Sequence, residues 1–558
     1  MSNTSDILDI WAKFGGPGPD GQAEFSLVTH DATTAEDLQA RIAAVVQDRP
    51  FEVREAFTGL LAEETGHRFW ILAFPDLDAA RGEDLAFEAA RQLQADLGVQ
   101  SVRPVMIDSL VGEAMVARSL GLEGVLDCSD DNWGPEARGW APRGLGVLEA
   151  WKHTKGQGVT IASIDTGYSS HVELADVISD KQQLNLVEGG HDAKDRFSTD
   201  VLLPNPGHGT LVASVVASRG GIDEATGNTT GPGEVTGSAP QAKILPIRAI
   251  RSVVDIRQSR IPAAIEHAIA QECDVIVMAL GSAFPIEPVE VALRAATQRG
   301  VVVVCAAGNC VGQVVFPARF APQGLCAAIA AVDHGYAPWK RTSKGKAVTV
   351  SAFGEAVWGA RKNSAQGSDT HVDRSQGTTL ATSLTGGVAA LWIAHHGGRQ
   401  ALLAKARAAG VTVQKLFNEV LRASAYKPPG WGDGLGAGLV NAGRLLAFPL
   451  TSTLESVLID VPLDEQHVTP LKQYLAANLD ETASVAGLEA AGLDESLAAE
   501  ALWRSYLAVA KTRAEAFRGA SLEQGALESV GAGGPKASPR LSAALAGRPH
   551  LADQIGSL

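Results

Sequence analysis

Cysteine is scarce in this chain of 558 residues, and the five present (Cys128, Cys273, Cys305, Cys310 and Cys326) are an odd number. An odd, sparse set excludes a disulfide-framework fold, and three of the five lie in or beside apolar strand-like runs. The expectation is small buried thiols in a reducing compartment; only Cys305 and Cys310 are close in sequence, and they could pair only if the chain turned back. No run approaches 18 apolar residues without polar interruption, so a spanning helix and a membrane partner are not expected. The opening MSNTSDILDIWAKFGGPGPD has no basic stretch followed by an apolar one of signal-peptide length, which makes the cytoplasm the default location and leaves export without a cleaved signal open. Basic residues are in deficit: 47 Lys and Arg stand against 63 Asp and Glu, a net charge of −16. With no basic stripe, nucleic acid is not the expected partner. What remains, 45% hydrophobic and 20% charged residues, is the composition of a soluble globular chain long enough for two to four domains.

The organisation follows from where periodicity changes. Residues 1–22 are Gly/Pro-rich and expected to be flexible. In 23–107, Ala23–His30, Phe51–Thr58, His67–Pro75 and Val99–Met106 read as strands, while Thr34–Val46 and Glu83–Leu97 have helical period. The order β-α-β-β-α-β is the ferredoxin-like arrangement. Residues 108–140 end in the polar, turn-rich SDDNWGPEARGW and read as a linker. From 141 to 448 the texture changes. VTIASID (159–165), ILPIRAI (244–250), DVIVMAL (274–280), VVVVCAA (301–307) and LCAAIAAV (325–332) are continuous apolar runs rich in β-branched residues, the pattern of strands buried on both faces. Helical stretches such as 261–272 and 287–299 lie between them, so the fold class is α/β, a doubly wound, mainly parallel sheet. Residues 449–530 read as a helical C-terminal region, with helices over 470–479 and 496–517, and 531–558 as a flexible tail.

Three blocks carry chemistry. VTIASID delivers Asp165, followed by Thr166-Gly167, to the end of a buried strand, where α/β sheets place functional groups; alone, such an aspartate is as readily a cap for the next turn. Gly207-His208-Gly209-Thr210 opens an apolar helix, putting an imidazole beside open backbone. Gly377-Thr378-Thr379 opens a longer apolar helix, TLATSLTGGVAALWIAHH, and a hydroxyl there sits at the helix N-terminus, where free N–H groups favour developing negative charge.

In the chain order aspartate, histidine, hydroxyl, these blocks resemble the subtilase family of subtilisin-like serine peptidases. The resemblance extends over roughly 300 residues. Ser169 to Leu174 (SSHVEL), Gly237 to Arg248 (GSAPQAKILPIR), Ala306-Ala307-Gly308-Asn309, Phe316-Pro317-Ala318, Ala330 to Asp333 and Gly434 to Leu446 all look like family segments. It implies a triad of Asp165, His208 and Thr379, with His208 as general base, Asp165 as its orienting carboxylate and Asn309 as oxyanion donor. It also implies that Leu280-Gly281 pairs with substrate backbone and that Ala306, Ala307 and Gly308 floor the primary specificity pocket, small residues that leave room for a sizeable apolar side chain. A polypeptide is the implied substrate. No cofactor is required and no metal site is implied; structural calcium is common in the family, but no loop here clusters oxygen ligands at suitable spacing. Asp223 and Glu224 read as a solvated turn, and His395 and His396 as surface histidines ending a helix.

The departure is at the nucleophile. The family reads Gly-Thr-Ser where this chain reads Gly377-Thr378-Thr379, and its proline four residues on is Ser383. The threonine methyl stiffens χ1 and crowds the imidazole or the incoming carbonyl. The expectation is a slower peptidase; the alternative is a pseudopeptidase that binds peptides or proteins as a regulator. By the same resemblance the 23–107 unit looks like a prodomain, an intramolecular partner released by processing within 108–140, against the alternative of a permanent binding domain.

Overall fold

The computed structural model describes residues 10–11, 22–61, 66–78, 83–106, 134–198, 205–253, 258–310, 312–450, 471–478, 484–519 and 537–555. The N-terminal unit has strands β1 (Gln22–His30), β2 (Glu52–Glu55), β3 (His67–Asp78) and β4 (Ser101–Pro104), with helices Ala35–Val46 and Glu83–Leu97. Its antiparallel sheet runs β2-β3-β1-β4, the ferredoxin-like order. The first helix starts where its sequence says it should: the Thr34 hydroxyl accepts the Asp37 N–H, and Glu36 and Asp37 face the positive helix end. One expectation fails here. Trp11 is buried against Phe25 and Phe74, with ring centroids 6.1 and 4.7 Å away, so the stretch called flexible contributes to this core. Its indole offers more apolar area than the surrounding glycines and prolines suggest.

The second unit is built on seven strands: β5 (Thr160–Asp165), β6 (Leu184–Asn185), β9 (Lys243–Arg248), β10 (Val275–Met278), β11 (Val302–Ala306), β12 (Ala327–Val332) and β13 (Val350–Phe353). They pair in parallel in the order β13-β12-β11-β10-β5-β9-β6. Between β6 and β9 lies a two-stranded ribbon, β7 (Gly221–Ile222) with β8 (Thr229–Thr230), and after β13 a hairpin, β14 (Val357–Ala360) with β15 (Val372–Ser375). The five apolar runs read from sequence are the five inner strands; β6, two residues long, and β13, whose run is interrupted by Thr349 and Ser351, carry too little pattern to be seen. Helix Thr378–His395 is apolar on every side and buried from Thr378 to Ile393, as a helix within a core must be. It packs against helix His208–Ala217 and strands β10 to β13.

The C-terminal region is helical, with Leu471–Asn478, Val485–Ala490 and Glu495–Gly519. The expected flexible tail is not one throughout: Pro539–Leu545 and Pro549–Ile555 are helices that bury Leu541, Leu545, Ala552 and Ile555. The four are spaced for a shared apolar face, a signal masked by the surrounding Gly, Ala and Pro. Most of the linker, including any processing site within 108–140, lies outside the described residues. No described helix is long and apolar enough to cross a membrane.

Candidate active site

Asp165 is the last residue of β5, a strand flanked by β9 and β10, and is 1% exposed. Its Oδ1 accepts the N–H of Thr166 at 2.7 Å. His208 is the first residue of its helix, behind Gly207 in the left-handed region at φ 78°. The ring Nδ1 lies 2.8 and 3.0 Å from the two Asp165 oxygens, and Nε2 lies 3.2 Å from Thr379 Oγ1. A carboxylate only accepts, so Nδ1 carries the hydrogen and Nε2 of the neutral ring is left to accept from the threonine. Gly209 makes the approach feasible: a Cβ there would overlap the Gly167 carbonyl and stand 3.3 Å from Asp165 Cβ. Thr379 is the second residue of its helix and 8% exposed.

Sequence reasoning placed Asn309 here but not how it is held. Asn309 Oδ1 accepts both the Thr378 N–H, at 2.9 Å, and the Thr378 hydroxyl, at 2.8 Å. A backbone N–H can only donate, so these bonds decide which end of the amide is oxygen. They leave Nδ2 on the side of Gly377, 3.1 Å from where a Cβ of that glycine (φ 137°) would stand. Neither neighbouring serine substitutes for Thr379. Ser383 is a turn further along and donates its hydroxyl to the Thr379 carbonyl at 2.8 Å, while Ser375 accepts from Arg361 at 3.0 Å.

Asp195 was missed altogether. It is buried, accepts the Thr166 hydroxyl at 2.8 Å and the N–H of Gly207 at 2.8 Å through Oδ2, and the N–H of Phe197 at 2.7 Å through Oδ1. Thr166 Oγ1 in turn accepts the Gly209 N–H at 3.2 Å. Asp195 thus ties the residues beside Asp165 to those on either side of His208. Nothing in HDAKDRF distinguishes it from Asp192 three residues earlier, so no sequence signal could have found it.

Leu280-Gly281 and Ala306-Ala307-Gly308 lie at the ends of the paired strands β10 and β11, where Met278 stands opposite Cys305. Ser282 and Phe316 exchange backbone hydrogen bonds of 2.7 and 2.8 Å, Val315 N–H donates to the Ala307 carbonyl at 3.0 Å, and Gly308 N–H to Thr378 Oγ1 at 3.3 Å. The room expected between these segments is taken by Val315, whose side chain faces both Gly281 and Gly308.

Among the described residues no group of three or more His, Cys, Asp or Glu side chains is arranged to hold a metal ion. Asp223 Oδ1 instead closes its own turn, accepting from Ala225 and Thr226. His395 and His396 are partly exposed where their helix ends: His396 packs 5.4 Å from the Trp392 ring, and its burial, then His395 and Lys405, push its pKa down to about 4. Cys273, Cys305 and Cys326 are free and buried, and burial raises the Cys273 thiol to about 12. Cys310 departs from the expectation of thiols throughout, being disulfide-bonded.

The N-terminal unit docks on helices Ile261–Ala270 and Glu287–Gln298. The Glu266 carboxylate accepts the N–H groups of Thr58, Gly59 and Leu61 at 2.9, 3.2 and 2.8 Å. Glu287 accepts from Arg103 at 2.8 Å and from the Ser101 hydroxyl at 3.1 Å, and the rings of Phe87 and Phe284 meet edge to face at 5.6 Å. The C-terminal helices touch both units: Arg91 lies 3.8 Å from Glu500, and Tyr474 packs on Phe316 and Phe320 at 5.3 and 5.7 Å.

Residues 156–438, just over half of the chain, match the model of the subtilase family of peptidases. Thermitase of Thermoactinomyces vulgaris is 30% identical over 257 residues, 46% of this chain and 82% of that protein. An extracellular protease of Xanthomonas campestris pv. campestris is 28% identical over 402 residues, 66% of this chain and 61% of its own length. The major intracellular serine protease of Bacillus subtilis is 30% identical over 174 residues, 30% of this chain and 49% of that one. The chain belongs to the subtilase family.

Proposed function

We propose that this chain is a subtilisin-like endopeptidase whose nucleophile is Thr379. The observation that carries the reading is the continuous line from the Asp165 carboxylate through both ring nitrogens of His208 to the Thr379 hydroxyl. Thr379 Oγ1 attacks the peptide carbonyl carbon as its proton passes to His208 Nε2. The tetrahedral oxyanion receives a hydrogen bond from Asn309 Nδ2, which the two bonds from Thr378 hold in place. The imidazolium, stabilised by Asp165, returns the proton to the leaving amine. Water then attacks the threonyl ester by the same route in reverse, releasing the acid and restoring the hydroxyl. No cofactor enters these steps. The methyl of threonine places this nucleophile at a disadvantage, since a shift of about 1 Å can cost roughly a hundredfold in rate.

Casein hydrolysis by the wild type, Thr379→Ser and Thr379→Ala tests this. Slow cleavage by the wild type, abolished in the alanine variant and accelerated in the serine variant, is expected. A wild type as inert as Thr379→Ala would sink the enzymatic reading and favour the second one, a peptide-binding regulator, for which the substituted nucleophile is the motivating observation. That reading requires saturable peptide binding unchanged by Thr379→Ala.

The N-terminal unit is proposed to act as the prodomain of this peptidase, supported by its carboxylate-anchored docking through Glu266 and Glu287. Mass spectrometry of the purified chain would show whether the linker is cut; an intact linker in wild type and Thr379→Ser alike would make the unit a permanent domain. The proposed cytoplasmic location loses part of its support at Cys310, because structural disulfides are rare there.

A further inference from the structure

We infer that Val315 restricts this site to substrates with a small side chain, glycine, alanine or serine class, immediately before the cleaved bond. The inference rests on the proposed site. In the proposed site, a substrate backbone laid along Leu280-Gly281 with its carbonyl carbon within reach of Thr379 Oγ1 and Asn309 would send that residue's side chain between Gly281 and Gly308. Val315 is already there. A Cβ on Gly308 would stand 3.0 and 3.2 Å from its two methyl carbons, and a Cβ on Gly281 would stand 3.0 Å from its Cβ and overlap one methyl. A side chain only 7% exposed, facing both walls, leaves little of the slot to fill.

Val315 cannot readily swing aside. Its N–H is bound to Ala307 at 3.0 Å and its carbonyl accepts from Arg319 at 2.9 Å. The next residue, Phe316, is fully buried beneath Phe320 and Tyr474 and tied to Ser282 through both backbone groups. A β-branched side chain on a backbone fixed at both ends has few rotamers to offer. The aromatic packing behind it includes the C-terminal helix Leu471–Asn478, so a region outside the peptidase unit stiffens a wall of the substrate slot. Clearing the slot requires removing the side chain, not moving it.

The test uses the full chain and two readouts. Peptides identical but for alanine or phenylalanine before the scissile bond are assayed with wild type, Val315→Ala and Val315→Gly. In parallel, peptides ending in alanine or phenylalanine carboxylate are titrated by fluorescence anisotropy, which needs no turnover. The wild type is expected to favour alanine by at least about tenfold in either readout, and Val315→Gly to reverse the order, since each methylene accommodated or refused is worth roughly 10–200-fold. Val315→Ala should fall between and keeps the inference open to refutation if the glycine variant does not fold. Equal use of both peptides by the wild type, or an unchanged preference in folded variants, overturns the inference, as does binding of neither peptide by any variant. Absence of cleavage with a preserved binding order overturns only the peptidase reading.

Discussion

Two sets of buried carboxylates in the peptidase unit serve opposite ends. Asp165 faces an imidazole whose charge changes during the proposed reaction. Glu266 and Glu287 face backbone N–H groups, a hydroxyl and an arginine of the N-terminal unit, whose charges stay fixed. The first sits at the C-terminal end of an inner parallel strand, where side chains from separate loops converge. The others lie on helices at the surface of the same unit, where they meet a second body. Carboxylate burial is shared, so it does not mark chemistry; what the carboxylate faces does.

Breaking the chemical arrangement should give the largest effects. His208→Ala is expected to lower kcat/KM for peptide hydrolysis by roughly 10⁴-fold or more while Tm moves little, because the ring lies at the rim of the core. Asn309→Ala should cost about 10²–10³ in kcat with binding less affected, seen by comparing kcat with KM.

Breaking the docking contact should do the reverse. In Glu266→Ala the N–H groups of Thr58, Gly59 and Leu61 lose their acceptor, weakening docking by about 1–3 kcal/mol. Hydrogen exchange should rise at residues 58–61, and peptide turnover should hold or increase; a fall in turnover would place Glu266 in the chemistry instead. Asp195 sharpens the comparison, since it touches neither partner. Asp195→Asn keeps one acceptor oxygen but presents an amide to N–H donors, and is expected to reduce kcat about tenfold at unchanged KM; a fall in Tm with kcat unchanged would make it merely structural.

The smallest effect tests a group far from both places. His396 is held below its ordinary value of 6.5, at about 4, so the unfolded chain binds more protons there between those values. Stability should therefore fall as pH drops from about 6.5 toward 4, and His396→Gln should flatten that part of a Tm-against-pH curve.

Legibility in the sequence followed the strength of local pattern. The inner strands were legible because burial on both faces demands uninterrupted apolar runs, and β6, only two residues long, was not. Asp165, His208 and Asn309 were legible through the resemblance of their motifs to the subtilase family, and the glycines within those motifs, Gly167, Gly207, Gly209 and Gly308, stand where backbones or side chains approach closely. Trp11 and the helices Pro539–Leu545 and Pro549–Ile555 were misread as loose, since glycine, proline and alanine around them outweigh a few well-spaced apolar residues. The room expected beside Ala306, Ala307 and Gly308 depends on a residue that local pattern does not include: Val315, whose side chain faces Gly281 and Gly308, follows them across a loop.

The sequence alone determined the parallel sheet, because hydrophobic period is local and survives without coordinates, and its motifs pointed to Asp165, His208 and Thr379 through their resemblance to the subtilase family. Only the tertiary structure decided that Thr378 fixes the Asn309 amide, that Asp195 ties both sides of the site together, and that Val315 faces both Gly281 and Gly308. Each of these is a contact between segments distant or separately folded in the chain, where distances of a few tenths of an ångström separate a bond from a clash, and no one-dimensional pattern encodes them.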